Sequence, residues 1–301
     1  MKRTASRILT LATVITASMA LVLAGCGAKE SNGAGEASST APAGTTAAAA
    51  STAPTAPATK TKIKVATGGS PRPFSYVNDK NELEGYDIEV VKAIFKELPQ
   101  YEISFEKTEF TSIFAGLDSD RYQIGANNFA MNEARKQKYV YTNAIFKNQY
   151  VIAQASSRTD LNVFKDLQGK TTEVNAGVNY TTAIENYNKT HTDNPVKLKY
   201  TEADMLATLQ NVESGKADFQ LIDAAILQKY VTDYKLKLKA VPLSEEETKL
   251  IGAPFSYLIL SKGKYTEQLE KDINGALDKL VKDGTVGKIS TKYFGGDFSP
   301  K

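Results

Sequence analysis

The chain reads KIKVAT over Lys62–Thr67, YDIEVVKAIFKEL over Tyr86–Leu98 and YEISFE over Tyr101–Glu106, and this stretch decides the fold. The first segment is short and rich in β-branched and apolar residues, which predicts a strand. The second sets Ile88, Val91, Phe95 and Leu98 on one face at helical spacing. The third alternates apolar and polar residues with period two, as a half-buried strand does. Strand, helix and strand in that order opens an α/β fold.

The same rhythm continues downstream. Ser112–Leu117 predicts a short helix, Tyr122–Ala126 a strand, and Asn132 a helix N-cap. Thr171–Val174 predicts a strand and Tyr180–Asn188 a helix behind an Asn179 cap. Glu202–Ser214 is an amphipathic helix with Met205, Leu206, Leu209 and Val212 inward and Gly215 behind it. Phe219–Ile222 is a buried strand, Ala224–Thr232 a helix, Ser256–Leu260 a strand and Tyr265–Lys282 a long helix. The alternation predicts mostly parallel sheets, with ligands held at the carboxyl ends of strands or between lobes.

Upstream the composition changes character. Lys2, Arg3 and Arg7 precede an apolar run from Ile8 to Leu23, which reads as a signal peptide over residues 1–25. Leu23-Ala24-Gly25-Cys26 is similar to the lipobox of bacterial lipoproteins, where the cysteine is lipidated and becomes the first residue. Residues 26–61 hold that cysteine and a stretch rich in Ala, Thr, Ser, Gly and Pro, which reads as a flexible tether. Cys26 is the only cysteine of the 301 residues, so the remainder has no disulfide, no thiolate metal site and no cysteine nucleophile. The leader takes three of the 37 basic residues, leaving 34 against 34 acidic ones. That balance gives no electrostatic case for nucleic acid. No phosphate-cradling Gly-rich motif, HExxH or nucleophile elbow occurs, and no cofactor or metal is expected.

Six motifs in order then carry a resemblance. They are Pro73-Phe74-Ser75-Tyr76 with Gly85-Tyr86-Asp87-Ile88-Glu89-Val90; Phe110-Thr111-Ser112-Ile113; Asn132-Glu133-Ala134-Arg135; Asp166-Leu167-Gln168-Gly169-Lys170; Gly215-Lys216-Ala217-Asp218 with Asp223; and Gly284-Thr285 through Tyr293-Phe294-Gly295. Together they resemble the family 3 extracellular solute-binding proteins, the polar amino acid receptors of ABC importers. The resemblance covers nearly all of residues 62–297. It implies a two-lobed type II periplasmic-binding-protein fold with two strand-like hinge crossovers, near residues 146–149 and 249–254. Residues 62–147 plus 250–297 would form one lobe and residues 148–249 the other. The implied partners are a small amino acid, an ABC permease with its ATPase, and a membrane reached through the lipid. A monomer is expected, on the outer face of the cell membrane of a Gram-positive bacterium.

The resemblance also assigns candidate ligand-binding residues. Arg135 matches the arginine whose planar fork takes the ligand carboxylate; the bare sequence also allows a solvated surface arginine. Asp223 matches the carboxylate that receives the α-ammonium, and it also stands where a helix N-cap is needed. Phe110 matches an aromatic that packs on the ligand. Asn127, Asn128 and Ala130 occupy a pocket-lining stretch, where Ala130 lacks the usual hydroxyl and offers only its N–H. Asn175, Gly177 and Asn179 fall on a ligand-facing loop of the other lobe. Ser70 and Arg72 flank Pro71, which stands where an aromatic is common; Arg72 faces either that space or solvent. His191 reads as a plain loop residue.

A pocket lined with asparagines, without an acidic or basic wall, suits a long polar amino acid. The stretch Gly85–Gln100, with Leu98-Pro99-Gln100-Tyr101, is similar to the cystine-receptor branch, so L-cystine leads. The alternative is a secreted enzyme on the same fold, such as a cyclohexadienyl dehydratase, which needs a general acid or base in the cleft. A sensor is a third reading, but the chain carries no kinase or transmembrane output segment.

Overall fold

The protein is described here by a computed structural model covering residues 59–300. The leader, Cys26 and nearly all of the spacer lie outside the described residues. The order of elements begins β1 (Thr61–Thr67), β2 (Tyr76–Val77), β3 (Leu83–Glu84), α1 (Tyr86–Lys96), β4 (Tyr101–Lys107), α2 (Phe110–Asp118), β5 (Ile124–Ala130), α3 (Glu133–Lys138) and β6 (Val140–Lys147). It continues through β7 (Tyr150–Ala155), β8 (Thr171–Val174), α4 (Asn179–Thr190), β9 (Lys197–Tyr200), α5 (Met205–Glu213), β10 (Gln220–Asp223), α6 (Ala224–Tyr234), β11 (Leu238–Pro242) and α7 (Glu245–Ile251). It closes with β12 (Phe255–Leu260), α8 (Thr266–Lys282) and α9 (Thr285–Phe294).

Two sheets organise these elements, one in each lobe. The first has five strands in the order β4-β1-β5-β12-β6, and the second has three in the order β10-β7-β11. β8 and β9 form a separate parallel pair. β1 runs parallel to both β4 and β5. β12, however, runs antiparallel to β5 and β6, and β7 runs antiparallel to β10 and β11. The expectation of mostly parallel sheets is therefore corrected to mixed sheets. A parallel pair needs a long crossover between its strands, but β6 runs through Asn148 and Gln149 straight into β7. Counting strand–helix alternation does not detect such a direct passage.

The second passage between sheets is Gly252–Pro254, between α7 and β12. Residues 249–251, expected to be extended, are the last turn of α7, and Gly252 ends it at φ +130°. The two passages are bonded to each other. The Asn148 N–H donates to the Pro254 carbonyl at 2.8 Å. The Tyr150 hydroxyl donates to the Ala253 carbonyl at 3.2 Å.

α1 is buried against α8 along a face that keeps Val91 and Phe95 of the predicted stripe, with Leu98 just beyond the helix end and Ile88 outside this cluster. Val90, Val91, Ile94 and Phe95 share a cluster with Leu269, Ile273, Leu277 and Leu280. Gly85 starts α1 at φ +126°, and a Cβ there would lie 2.3 Å from the Phe74 carbonyl oxygen. Only glycine tolerates both conditions. Several helix starts differ from expectation: α2 begins two residues early, at Phe110, and α8 one residue late, at Thr266. Asn179 is the first residue of α4 and not its cap. α5 begins at Met205, because the Asp204 Oδ1 accepts the Ala207 N–H at 2.8 Å and caps it there.

Candidate functional site

A cavity of about 550 Å³ opens between the two sheets. Its first wall is built by β5. The Asn127 Oδ1 accepts the Gly68 N–H at 2.8 Å, tying β5 to the loop after β1. Asn128 sits in the left-handed region at φ +48°, and its N–H donates to the Asp87 Oδ2 at 2.6 Å. Asp87 lies in the first turn of α1 and is 0% exposed. Burial pushes its carboxyl up to about 7, and the Asn128 N–H offsets part of that. The sequence reading missed Asp87 as a support for the site. The Gly85-Tyr86-Asp87 motif contains it, but only the fold brings it under Asn128.

Arg135 is placed by its own helix start. The Asn132 Oδ1 accepts the Arg135 N–H at 2.8 Å, as the predicted cap should. The Arg135 side chain turns inward and is 8% exposed. Its Nη1 donates to the Ala130 carbonyl at 3.0 Å, and its Nη2 donates across the cavity to the Gly177 carbonyl at 2.8 Å. The guanidinium lies 5.0 Å from the Phe114 ring centre and 5.4 Å from that of Phe129. Burial lowers its pKa from the usual arginine value, yet a guanidinium remains a cation at any ordinary pH. Among the described residues no carboxylate forms an ion pair with it. A buried cation is costly without a counter-charge, so this end of the cavity carries an uncompensated positive charge.

Most of the other candidates line the same cavity: Ser70, Phe110, Asn127, Asn128, Ala130, Asn175 and Asn179. Phe110 packs edge-on to Phe114 at 5.3 Å, next to the rings that flank Arg135. Ala130 contributes its carbonyl to Arg135 in addition to any role for its N–H. Asn175 is held by its Nδ2 donating to the Thr201 carbonyl at 2.7 Å.

Two candidates lie elsewhere. Arg72 is outside the cavity lining; its guanidinium stacks 4.3 Å from the Tyr76 ring centre and donates to the Val77 carbonyl. Asp223 is 1% exposed, and its carboxylate is taken up by backbone donors beside Asn148. Its Oδ1 accepts the Ala225 N–H at 2.8 Å and its Oδ2 the Gln149 N–H at 3.0 Å. It is thus the N-cap of α6, and it lines a second cavity of about 500 Å³ with Gln149 and Ala224. Burial pushes it up to about 7, against the pull of its backbone N–H partners. Asn148 connects it to the main cavity. With its amide turned so that Oδ1 accepts the Ser256 N–H at 3.2 Å, Asn148 donates to Asp223 Oδ2 at 3.2 Å and to Asn128 Oδ1 at 3.3 Å.

The absence of a charged wall is also corrected. Glu109, Glu173, Glu202 and Asp204 line the cavity, and among the described residues Arg135 is its one cationic lining residue. Glu202 and Asp204 were read as helix, where they would have been solvated; the later start of α5 leaves them in the loop before it. Tyr150 and Tyr180 add an aromatic wall, edge-on at 5.6 Å. His191 ends α4 with its ring stacked on Tyr187, remote from the cavity lining. Among the described residues no group of acidic, histidine or cysteine side chains could hold a metal, and no helix is long and apolar enough to cross a membrane.

Two sheets joined by paired passages, with a buried arginine facing the space between them, define a two-lobed binding protein for a small anionic or zwitterionic solute. The chain belongs to the bacterial extracellular solute-binding proteins, family 3, whose family model matches residues 63–296. It is 34% identical over 236 residues to the L-cystine-binding protein TcyJ of Bacillus subtilis, covering 78% of this chain and 84% of that protein. It is 30% identical over 242 residues to the L-cystine-binding protein TcyA of the same organism, covering 80% and 84%. Among solved structures, one from a study of glutathione import in Gram-positive bacteria via GshT and the cystine ABC importer TcyBC of Streptococcus mutans matches with a TM-score of 0.75 at 36% identity, covering 80% of this chain and 98% of that one. An ancestral arginine-binding protein bound to arginine matches with a TM-score of 0.66 at 26% identity, covering 78% and 99%.

Proposed function

We propose that this protein is the extracytoplasmic receptor of an amino acid ABC importer and that it binds L-cystine between its lobes without chemical change. The observation that carries the reading is Arg135: buried, facing the cavity, and without a carboxylate partner among the described residues. A ligand α-carboxylate supplies that partner in the bidentate geometry a guanidinium favours. The same guanidinium already spans the cavity to Gly177, so a carboxylate bound there touches both lobes. The acidic lining attracts the ligand's ammonium groups. Asp223 acts behind Asn148, fixing the amide that faces the cavity. Residues 62–147 with 250–297 form one closing lobe and residues 148–249 the other. Two cystine-binding relatives at 30% identity or more support the choice of ligand. Lipid attachment at Cys26 holds the monomeric receptor beside its permease.

The test is calorimetric titration of the purified protein against the common amino acids, cystine and glutathione, with the ligand recovered and weighed by mass spectrometry. Cystine is expected to bind with the highest affinity and to return intact. Preferred binding of glutathione or arginine would move the ligand assignment, and turnover of prephenate or arogenate would establish a dehydratase instead.

A further inference from the structure

Among the described residues, the buried side-chain polar atoms that meet no hydrogen-bond partner belong to Asp87, Tyr141, Gln154, Gln220 and Ser256. Of these residues only Gln220 lines the main cavity. Its Oε1 has no donor, and its Nε2 reaches only the Met205 thioether sulfur at 3.4 Å, a weak acceptor. Gln220 is half-buried, and a buried amide oxygen left unpaired lowers stability; here it does so on the wall of a binding cavity.

We propose that Gln220 is a specificity-determining residue, pairing through its carboxamide with a second α-amino acid head group at the far end of the ligand. The inference rests on the reading of this cavity as an amino acid site with the first head group at Arg135. Gln220 opens β10 opposite Ala153, whereas Asp223 ends it opposite Tyr150 beside the passage between sheets. At about 3.3 Å per residue, Gln220 stands roughly 10 Å further into the second lobe than Asp223.

The neighbours of Gln220 define the chemistry of what it reads. Glu202 and Asp204 stand just before Met205 in the chain and line the same cavity. Asp204 caps α5, its Oδ1 accepting the Ala207 N–H. A distal carboxylate on its own would meet these two acids and be repelled. An alkyl end would leave the carboxamide as unpaired as before. A distal ammonium with an adjacent carboxylate satisfies the whole group: the ammonium donates to Oε1 under the acidic pair, and Nε2 donates to the carboxylate. Such a ligand is a linked pair of amino acids with two head groups.

The experiment compares L-cystine with S-methyl-L-cysteine, which keeps one head group and the sulfur and lacks the second head. Both are titrated into the wild-type protein and the Gln220→Leu variant. The variant is expected to lose about 10- to 100-fold in cystine affinity and less than about 3-fold for S-methyl-L-cysteine. Its ligand-free melting temperature should equal or exceed the parent's, because the unpaired amide is gone. Gln220→Glu, which keeps an acceptor for the ammonium, should retain more cystine affinity than Gln220→Leu. Unchanged cystine binding by Gln220→Leu, or equal losses for both ligands, overturns the proposal. If the wild-type protein binds neither compound, the amino acid reading itself falls, and this inference with it.

Discussion

Truncating Arg135 to alanine separates its two roles, as scaffold and as ligand anchor. In the folded protein its side chain makes two charge-assisted bonds, to the Ala130 and Gly177 carbonyls, and stacks near Phe114 and Phe129. Losing one such bond costs about 1.5–3 kcal/mol, and the second lies across the cavity where water can replace it. The domain should therefore lose about 2–3 kcal/mol of stability while remaining folded. Ligand binding should lose more, because the bound carboxylate would be desolvated without its cation. Removing one member of a buried charge pair costs roughly 2–5 kcal/mol, or about 30- to 4000-fold in Kd. Arg135→Lys keeps the charge and loses the fork, so it should fall between parent and alanine. Arg135→Gln keeps a donor for one carbonyl and loses the charge; its stability should recover in part and its affinity should not. The assay is titration calorimetry with cystine on all four proteins, alongside urea unfolding without ligand. If Arg135→Ala binds cystine as tightly as the parent, the carboxylate does not sit at Arg135 and the assignment of the cavity's anionic end is wrong.

Three further outcomes are expected. Asp87 has a folded pKa of about 7 against an ordinary value of 3.8, so the stability it contributes is complete below pH 4 and is lost as pH rises through 7. Urea unfolding at pH 5 and pH 8 should therefore show Asp87→Asn gaining on the parent by a few kcal/mol at the higher pH, and a difference that does not vary with pH would show that Asp87 titrates normally. Gly85→Ala should cost about 3 kcal/mol or more, from the disallowed φ and the overlap with the Phe74 carbonyl; a thermal midpoint within a degree of the parent would contradict the helix start described. Cys26→Ala should release the protein from membranes and leave cystine affinity unchanged, as judged by fractionation followed by titration.

The nature of the elements was legible in the chain itself. The period-two segment Tyr101–Glu106 and the helical stripe of Ile88, Val91 and Phe95 are local patterns, and they form the strand and helix they specify. Asn132 was readable as a cap because a cap needs only the next three residues. The cavity-lining positions of Phe110, Asn127, Ala130, Arg135 and Asn175 followed from motif order. The tertiary structure alone decided how the polar groups are spent. Asp223 could serve as ligand contact, as cap or as both, and only the fold shows that it caps α6 and also takes the Gln149 N–H, 74 residues away in sequence. Gln220 fell inside the predicted strand Phe219–Ile222, and only the fold leaves its Oε1 without a donor and its Nε2 beside the Met205 sulfur. The antiparallel placing of β12 arose from the chain returning through Gly252–Pro254 between two strands already laid down. Periodicity is a property of neighbours along the chain. Whether a buried polar group has a partner depends on what distant segments bring to it, and hydrogen-bond geometry settles that only once the chain is folded.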